Sequence, residues 1–327
     1  MKAMDQIWVH YKDTLDALEA LIAKEINSEV PLINQVVHYV LRSGGKRVRP
    51  LLLAISAEMC GGADRSQTLV GGSMVEFVHT ATLLHDDVLD GAEMRRGTSA
   101  ARAVWGDHAC ILVGDYLYTI AACQTAAMGN AEVTDLFARA CRRMSEGETL
   151  QLAHNGDFDL TEETYLRIID YKTASLLSAS CRLGGVIAGA SEAEKEALAR
   201  FGRNLGIAFQ VADDTLDYTA DRRQLGKPIG QDFREGRMTL PLLALLSRCA
   251  PEEKARIQAR GREMADGAPD GLGEIVEGMR RHGAIAYAFR KAQDFADLAK
   301  ADLSLFPDSV CRQSLITVAD YVVSRDH

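Results

Sequence analysis

The sequence predicts an all-α fold of many helices, and three observations carry that expectation. Apolar residues recur at steps of three and four, as in Met74, Phe77, Val78, Ala81, Leu84 and Val88, which describes one buried stripe of a helix. Runs of β-branched residues with period two are scarce, and no stretch reads as a convincing strand. Helix-start signals and short glycine-bearing turns punctuate the chain as they do in a bundle.

The elements follow in chain order. The opening MKAMDQIWVH has no basic stretch followed by an apolar one, and no uncharged apolar run of about 18 residues occurs later, so no signal peptide or integral membrane segment is expected and the location is read as cytoplasmic. SGGKRVRP at 43–50 is a Gly-flanked basic turn leading into Pro50 and an apolar helix. It sets Lys46, Arg47 and Arg49 beside a helix N-terminus, where anions are favoured. GGAD at 61–64 is a turn, and the helix after it carries the apolar stripe and ends in HDDVLDGAEMRRG, residues 85–97. At about 100° per residue, positions 79, 83, 86 and 90 share a face, so His79 lies with Asp86 and Asp90, away from the apolar stripe. Arg95 and Arg96 follow, and Lys172 stands in DYKTASLL. Ser191 with Glu194 forms a capping box ahead of AEKEALARFG. FQVADDTLD at 209–217 repeats the carboxylate spacing, with Gln210, Asp213 or Asp214, and Asp217 on one face. Lys227 precedes Pro228 in QLGKPIGQD, where an extended loop is expected. Pro251 with Glu252 and Glu253 suits a first turn, and GAPDG at 267–271 is a turn.

Composition narrows the function. The 327 residues contain 7 prolines and no low-complexity linker, so residues 1–327 are read as one large domain. Hydrophobic residues at 47% can fill a sizeable core, and the net charge of −9 disfavours nucleic acid or an anionic membrane as partner while suiting divalent cations. Seven cysteines form no CxxC pair, so buried free thiols are expected rather than disulfides or zinc. The chain lacks the GxxxxGK[ST] and GxGxxG phosphate motifs.

A single acidic triplet is usually a solvated helix face; two with the same spacing and flanks call for another account. Carboxylates so close repel one another and need cations. An all-oxygen ligand set without cysteine or histidine at metal spacing favours magnesium (Mg2+), which keeps several waters and bridges one or two carboxylates to a substrate phosphate. The basic residues named above are then the counterpart for a phosphate-bearing substrate.

Taken together, GGKRVRP, HTATLLHDDVLDGAEMRRG, YKTA and FQVADDTLDYTADRRQLGKPIGQDFREGRMTLPLL resemble the trans-type polyprenyl diphosphate synthases along nearly the whole chain. The resemblance implies an isoprenoid-synthase helix bundle around a deep central cavity, a homodimer, and an enzyme that condenses isopentenyl diphosphate onto an allylic prenyl diphosphate. It implies that Asp86, Asp90, Asp213 and Asp217 hold magnesium, and that Arg95, Lys172, Thr173, Gln210 and Lys227 contact the allylic substrate or the cation. Lys46, Arg49, His79 and Arg96 would bind the isopentenyl diphosphate. Arg237, in EGRMTLP, stands where many members carry lysine and is left out of the assigned set. In the family the residues four and five positions before the first Asp, here Thr82 and Ala81, govern how far the product grows. Both are small, which implies a long-chain product of about octaprenyl length, suited to a quinone side chain. The alternatives are a shorter-chain synthase (geranylgeranyl or farnesyl), a terpenoid cyclase, whose second metal motif usually mixes Asn, Ser and Glu, and a non-catalytic prenyl diphosphate-binding subunit, expected to have lost part of one acidic motif.

Overall fold

A computed structural model describes residues 3–42, 44–62, 64–95, 97–219, 230–265 and 271–324. The chain divides into two compact units: Met1–Cys141, Leu176–Gly202 and Asp302–Val318 form one, and Arg142–Ser175, Arg203–Ala301 and Ala319–His327 the other. Nearly every described element is a helix, as the spacing of the apolar residues requires.

The first unit begins with α1 (Ala3–His10), α2 (Lys12–Glu25), α3 (Pro31–Arg42) and α4 (Val48–Met59), followed by the long α5 (Arg65–Leu89). In the GGAD stretch Gly61 and Gly62 stand at φ +100° and +83°, and residue 63 lies outside the described residues. Asp64 then caps α5, its side chain accepting from the Ser66 N–H at 2.8 Å, a contact of the kind that stabilises a helix by about 0.5–2 kcal/mol. On α5 the expected stripe is the buried face: Met74, Phe77, Val78, Ala81 and Leu84 are at most 2% exposed, and Val88 is half-buried. Met74, Phe77, Val78 and Leu84 each contribute roughly 1.5–3 kcal/mol relative to exposure. The helix packs on α2, α4 and α7 (Asp107–Ala127), with the short α6 (Ala101–Trp105) preceding α7.

Between α5 and α6 the chain makes a two-stranded antiparallel pair, β1 (Met94–Arg95) and β2 (Thr98–Ser99), where no strand was expected. The pair is two residues per strand, too short to show a period, and Gly97 at φ +80° supplies its turn. α7 also adds to the sequence reading. By length and composition it could cross a membrane; Cys110, Val113, Gly114, Leu117 and Ala121 on it are buried within the unit, whereas Ile111 and Leu112 are exposed.

α8 (Ala131–Ala153), α10 (Ser175–Ile187), α11 (Glu192–Thr219), α16 (Ala284–Asp302, at its last residue) and α17 (Val310–Val323) each contain a boundary between the units. The capping box at the start of α11 forms as expected: Glu194 accepts from the Ser191 N–H at 2.8 Å, and the Ser191 hydroxyl accepts from the Glu194 N–H at 3.4 Å. All seven cysteines are free. Cys110, Cys181 and Cys311 are buried as expected and Cys60, Cys141 and Cys249 partly so, whereas Cys123 is exposed, on the face of α7 away from Leu117 and Ala121.

The second unit comprises α9 (Glu162–Ile169), a π-helical turn at Asp170–Ala174, α12 (Gln231–Arg234), α13 (Leu240–Leu246), α14 (Pro251–Ala265, opening at the expected proline), α15 (Leu272–Arg281) and α16 (Ala284–Asp302), with its parts of α8 and α11. Its core surrounds α13, LPLLALL, every residue of which is buried; a helix apolar all round has to be. Tyr165, Ile168, Val211, Met279 and the alanine ladder Ala284, Ala288, Ala292 complete that core. The GAPDG turn falls mostly outside the described residues.

Candidate functional site

In the first unit the acidic triplet occupies the C-terminal end of α5. Asp86 and Asp87 lie in its last turn and Asp90 is the C-cap, its N–H bonded to the Asp86 carbonyl at 2.8 Å. Three carboxylates are thus gathered at the negative end of a helix dipole, which makes the site favourable for cations and unfavourable without them. The three are not equivalent. Asp87 is buried and accepts from Arg95 Nε at 2.6 Å, while Asp86 and Asp90, one turn apart, stay half-buried on a common face. Arg95 is therefore fixed by the inner aspartate, with its terminal nitrogens beyond that bond. His85 sits against α7, its Nε2 3.2 Å from the Ile111 carbonyl oxygen. The fit depends on Gly114, because a Cβ there would lie 2.2 Å from that nitrogen.

The basic turn precedes α4. Lys46 is exposed, and Arg49, in the first turn of α4, is half-buried, so both lie at a helix N-terminus as expected. Arg47 departs from the expectation: its side chain turns inward to Glu19 (2.7 Å) and Glu76 (2.8 Å). Glu76 is on α5, one turn before the half-buried His79. Arg96 lies outside the described residues.

In the second unit Lys172 sits within the π-helical turn, and its Nζ is 2.6 Å from Glu148 Oε2 on α8. π-turns inserted between α-helices are frequent at functional sites because they re-aim a side chain. A chain of hydrogen bonds leaves the same turn: the Thr173 hydroxyl donates to Gln210 Oε1 (2.8 Å), Gln210 Nε2 to Asp214 Oδ1 (2.7 Å), and the Tyr165 hydroxyl to Asp214 Oδ2 (2.7 Å). The Gln210 amide is engaged at both ends. This settles which aspartate goes with Gln210: Asp214 is the buried one, and Asp213 and Asp217, a turn apart, share the half-buried face. Burial pushes the Asp214 carboxyl up to about 8, Asp232 adding to the rise and the bonds from Tyr165 and Gln210 opposing it. Asp217 accepts from the Asp232 N–H at 3.1 Å, and Arg237 pairs with Asp232 at 3.1 Å. Lys227 lies outside the described residues.

Each triplet therefore follows one plan, a buried inner aspartate that accepts from a protein side chain and two outer ones half-buried on one helix face. Among the described residues no cluster of three His, Cys, Asp or Glu side chains could hold an ion by itself. An outer pair still fits a magnesium ion, which takes one or two carboxylates and completes its shell with water and phosphate oxygens. Sequence reading did not anticipate Tyr165, Glu148 or the inner role of Arg47; single Tyr, Glu and Arg residues carry no spacing signal.

The first unit also holds an apolar cavity of about 20 Å³, room for about one water molecule, lined among others by Met74 and Val78 of α5, Val133 and Phe137 of α8, and Leu176 and Leu183 of α10. Ala81 is fully buried, and the hydroxyl of half-buried Thr82 donates to the His79 carbonyl at 2.8 Å. Both lie one to two turns beyond the cavity residues of α5.

Comparison with known proteins gives a consistent picture. The sequence profile of polyprenyl synthetases matches residues 30–270. The octaprenyl diphosphate synthase of Escherichia coli (strain K12) is 40% identical over 314 residues, 94% of this chain and 95% of that protein. The crystal structure of a polyprenyl synthase from Caulobacter crescentus CB15, complexed with calcium and isoprenyl diphosphate, matches with a TM-score of 0.93 and 38% identity over 99% of this chain and 98% of that one. A decaprenyl diphosphate synthase from Rhodobacter capsulatus matches with a TM-score of 0.93 and 37% identity, over 98% and 99% of the two chains.

Proposed function

The chain belongs to the polyprenyl synthetase family of prenyltransferases, and on that premise we propose that it is a long-chain all-trans-polyprenyl diphosphate synthase making a product of about octaprenyl length. The observation that carries the reading is the repeated plan of the two acidic triplets, each presenting an outer carboxylate pair, in a chain 40% identical to an octaprenyl diphosphate synthase. Residues 1–327 act as one synthase domain; the match over 30–270 runs through both compact units, and the unit boundaries fall within helices. A homodimer in the cytoplasm, serving a quinone side chain, completes the proposal.

Asp86 with Asp90, and Asp213 with Asp217, would hold magnesium, which when bound would supply positive charge to the diphosphate leaving group. Lys172 adds a fixed cation on the allylic side, aimed by the π-helical turn and Glu148, and the terminal nitrogens of Arg95 act there with Lys227. Thr173 and Gln210 hold the turn to α11. Lys46, Arg49, His79 and Arg96 anchor the diphosphate of isopentenyl diphosphate. The allylic C–O bond breaks with its electron pair leaving on the diphosphate, the isopentenyl double bond captures the allylic cation, and the resulting tertiary cation gives up an adjacent proton to the released diphosphate, its C–H electron pair forming the new double bond. Electrostatic preorganisation around a leaving group needs no protein nucleophile, and none is assigned.

The direct test is incubation of the purified protein with farnesyl diphosphate and labelled isopentenyl diphosphate. Successive elongation that stops in excess EDTA and returns with magnesium is expected; a cyclic hydrocarbon, no turnover, or full turnover in EDTA would contradict the reading.

Product length gives a second prediction. Thr82→Phe and Ala81→Phe should each shorten the main product by several isoprene units. Ala81 is fully buried, so its replacement also overpacks the core, at a cost of about 1–3 kcal/mol. Half-buried Thr82 is the cleaner site. Chromatography of the dephosphorylated alcohols measures the outcome, and an unchanged distribution in both variants would move length control away from this part of α5.

A further inference from the structure

Three basic residues lie at the start of α4, two in the turn before it and Arg49 in its first turn, and one of them faces the wrong way for a ligand. Lys46 is exposed and Arg49 half-buried, whereas the Arg47 side chain is only 9% exposed. Arg47 is also the sole residue other than glycine, among the described residues, with positive φ (φ +46°, ψ 39°). An L-residue resists that conformation because its Cβ crowds the following carbonyl, so something must hold it there. The guanidinium supplies the hold: Nε donates to Glu19 Oε1 on α2 at 2.7 Å, Nη1 to Glu76 Oε1 on α5 at 2.8 Å, and Nη2 reaches the Leu41 carbonyl at 3.4 Å. A planar fork with divergent donors can span two carboxylates on separate helices; a lysine ammonium cannot reproduce it.

We propose that Arg47 is a positioning residue for the isopentenyl diphosphate side of the reaction: the Glu19–Arg47–Glu76 bridge holds the basic turn in its left-handed conformation and so sets where Lys46 and Arg49 present their charges. The inference rests on the synthase reading above. Arg47 is the residue that carries the left-handed backbone and begins α4, its carbonyl accepting the first helical bond from the Leu51 N–H at 3.0 Å. Lys46 and Arg49 are one and two residues away, so a change in the Arg47 backbone redirects both. The Glu76 end of the bridge lies on α5 one turn before His79, which joins the turn to the helix of the third residue assigned to the same anion. Burial raises the pKa of the Glu76 carboxyl, and Arg47 and Arg49 oppose the rise; a neutral replacement of Glu76 removes that charge pairing and leaves the 9% exposed Arg47 side chain with Glu19 as its carboxylate partner.

The test uses the full chain and three variants, Glu76→Gln, Arg47→Lys and Glu19→Gln, with KM for isopentenyl diphosphate, KM for farnesyl diphosphate, kcat and the melting temperature measured for each. Displacement of a positioned group by about 1 Å can cost about 100-fold. Glu76→Gln and Arg47→Lys should accordingly raise the isopentenyl KM about 10–100-fold, while the farnesyl KM stays within about twofold, a split that general loss of stability would not produce. Arg47→Lys keeps the positive charge, so a normal isopentenyl KM in that variant would show that charge rather than the bridge matters and would overturn the proposal. Should Glu76→Gln or Arg47→Lys fail to fold, Glu19→Gln, at the 49% exposed end of the bridge, carries the test: a rise of several-fold in the isopentenyl KM alone supports the bridge, and no rise overturns it. Absence of elongation by the wild-type chain would overturn the synthase reading and this inference with it. Wild-type elongation with an unchanged isopentenyl KM in every variant that folds would overturn the inference alone.

Discussion

Asp86→Asn and Asp213→Asn should each lower turnover by about 10²–10³-fold, the range lost when one preorganised electrostatic contact to a reacting group is removed. Asparagine keeps the size and shape of the side chain and removes only the charge, so the loss isolates electrostatics from packing. For Asp86 a second signature is expected. It lies in the last turn of α5 beside Asp87 and Asp90, where the dipole disfavours negative charge by about 0.3–1 kcal/mol, so Asp86→Asn should leave the melting temperature unchanged or slightly higher. Steady-state rates with farnesyl and isopentenyl diphosphates, paired with thermal denaturation followed by circular dichroism, read both effects. Near-normal turnover in either variant would detach that motif from the chemistry. A large drop in melting temperature accompanying the loss would recast the residue as structural.

The burial of the inner aspartates explains why the outer ones carry this prediction. Asp87 is buried against Arg95 and Asp214 against Tyr165 and Gln210, whereas Asp86, Asp90, Asp213 and Asp217 are half-buried and reach the surface. Under the proposed function the outer aspartates are therefore the ones a cation can reach.

The positions on helix faces were legible because the 3.6-residue period converts spacing directly into direction. It foretold the buried stripe of α5 and the pairing of Asp86 with Asp90. It failed between Asp213 and Asp214 because adjacent residues differ by about 100°, and both directions were compatible with the apolar pattern around them. Gln210 bonds Asp214 one turn along the same helix, and the second donor to that carboxylate, Tyr165, comes from 49 residues upstream. The turn at Arg47 was legible as a turn, through its glycines, but not as a left-handed arginine, since the two carboxylates that enforce that conformation are 28 and 29 residues away. The cysteine reading succeeded for Cys110 and Cys181 and failed for Cys123, because α7 is apolar on more than its buried face.

The π-helical turn at Lys172 was equally hidden, and it leads to the second large effect. Gly147 is buried on α8 directly against that turn. A Cβ there would lie 2.4 Å from the Lys172 backbone nitrogen, 2.8 Å from the Tyr171 Cβ and 2.9 Å from the Lys172 Cα. Two of these atoms are backbone, so no rotamer change relieves the clash, and the helix and the turn must part by roughly half an ångström or more. The neighbouring contacts oppose that movement: Glu148 holds Lys172 Nζ at 2.6 Å, and the Arg143 guanidinium lies 4.2 Å over the Tyr171 ring. Helix propensity alone would have Gly147→Ala stabilise α8 by about 1 kcal/mol. Overpacking costs about 1–3 kcal/mol, so the clash should win, lowering the melting temperature by a few degrees. The larger effect should fall on catalysis. With Lys172 re-aimed on the allylic side, turnover should drop about 10–100-fold, as misplacement by a fraction of an ångström to 1 Å commonly costs. Gly273→Ala supplies the control, because that glycine on α15 has open space at its Cβ position; it should leave turnover unchanged and stability equal or slightly higher. Wild-type rates and stability in Gly147→Ala would mean that the π-turn has room to adjust, and that the aim of Lys172 is set by Glu148 alone.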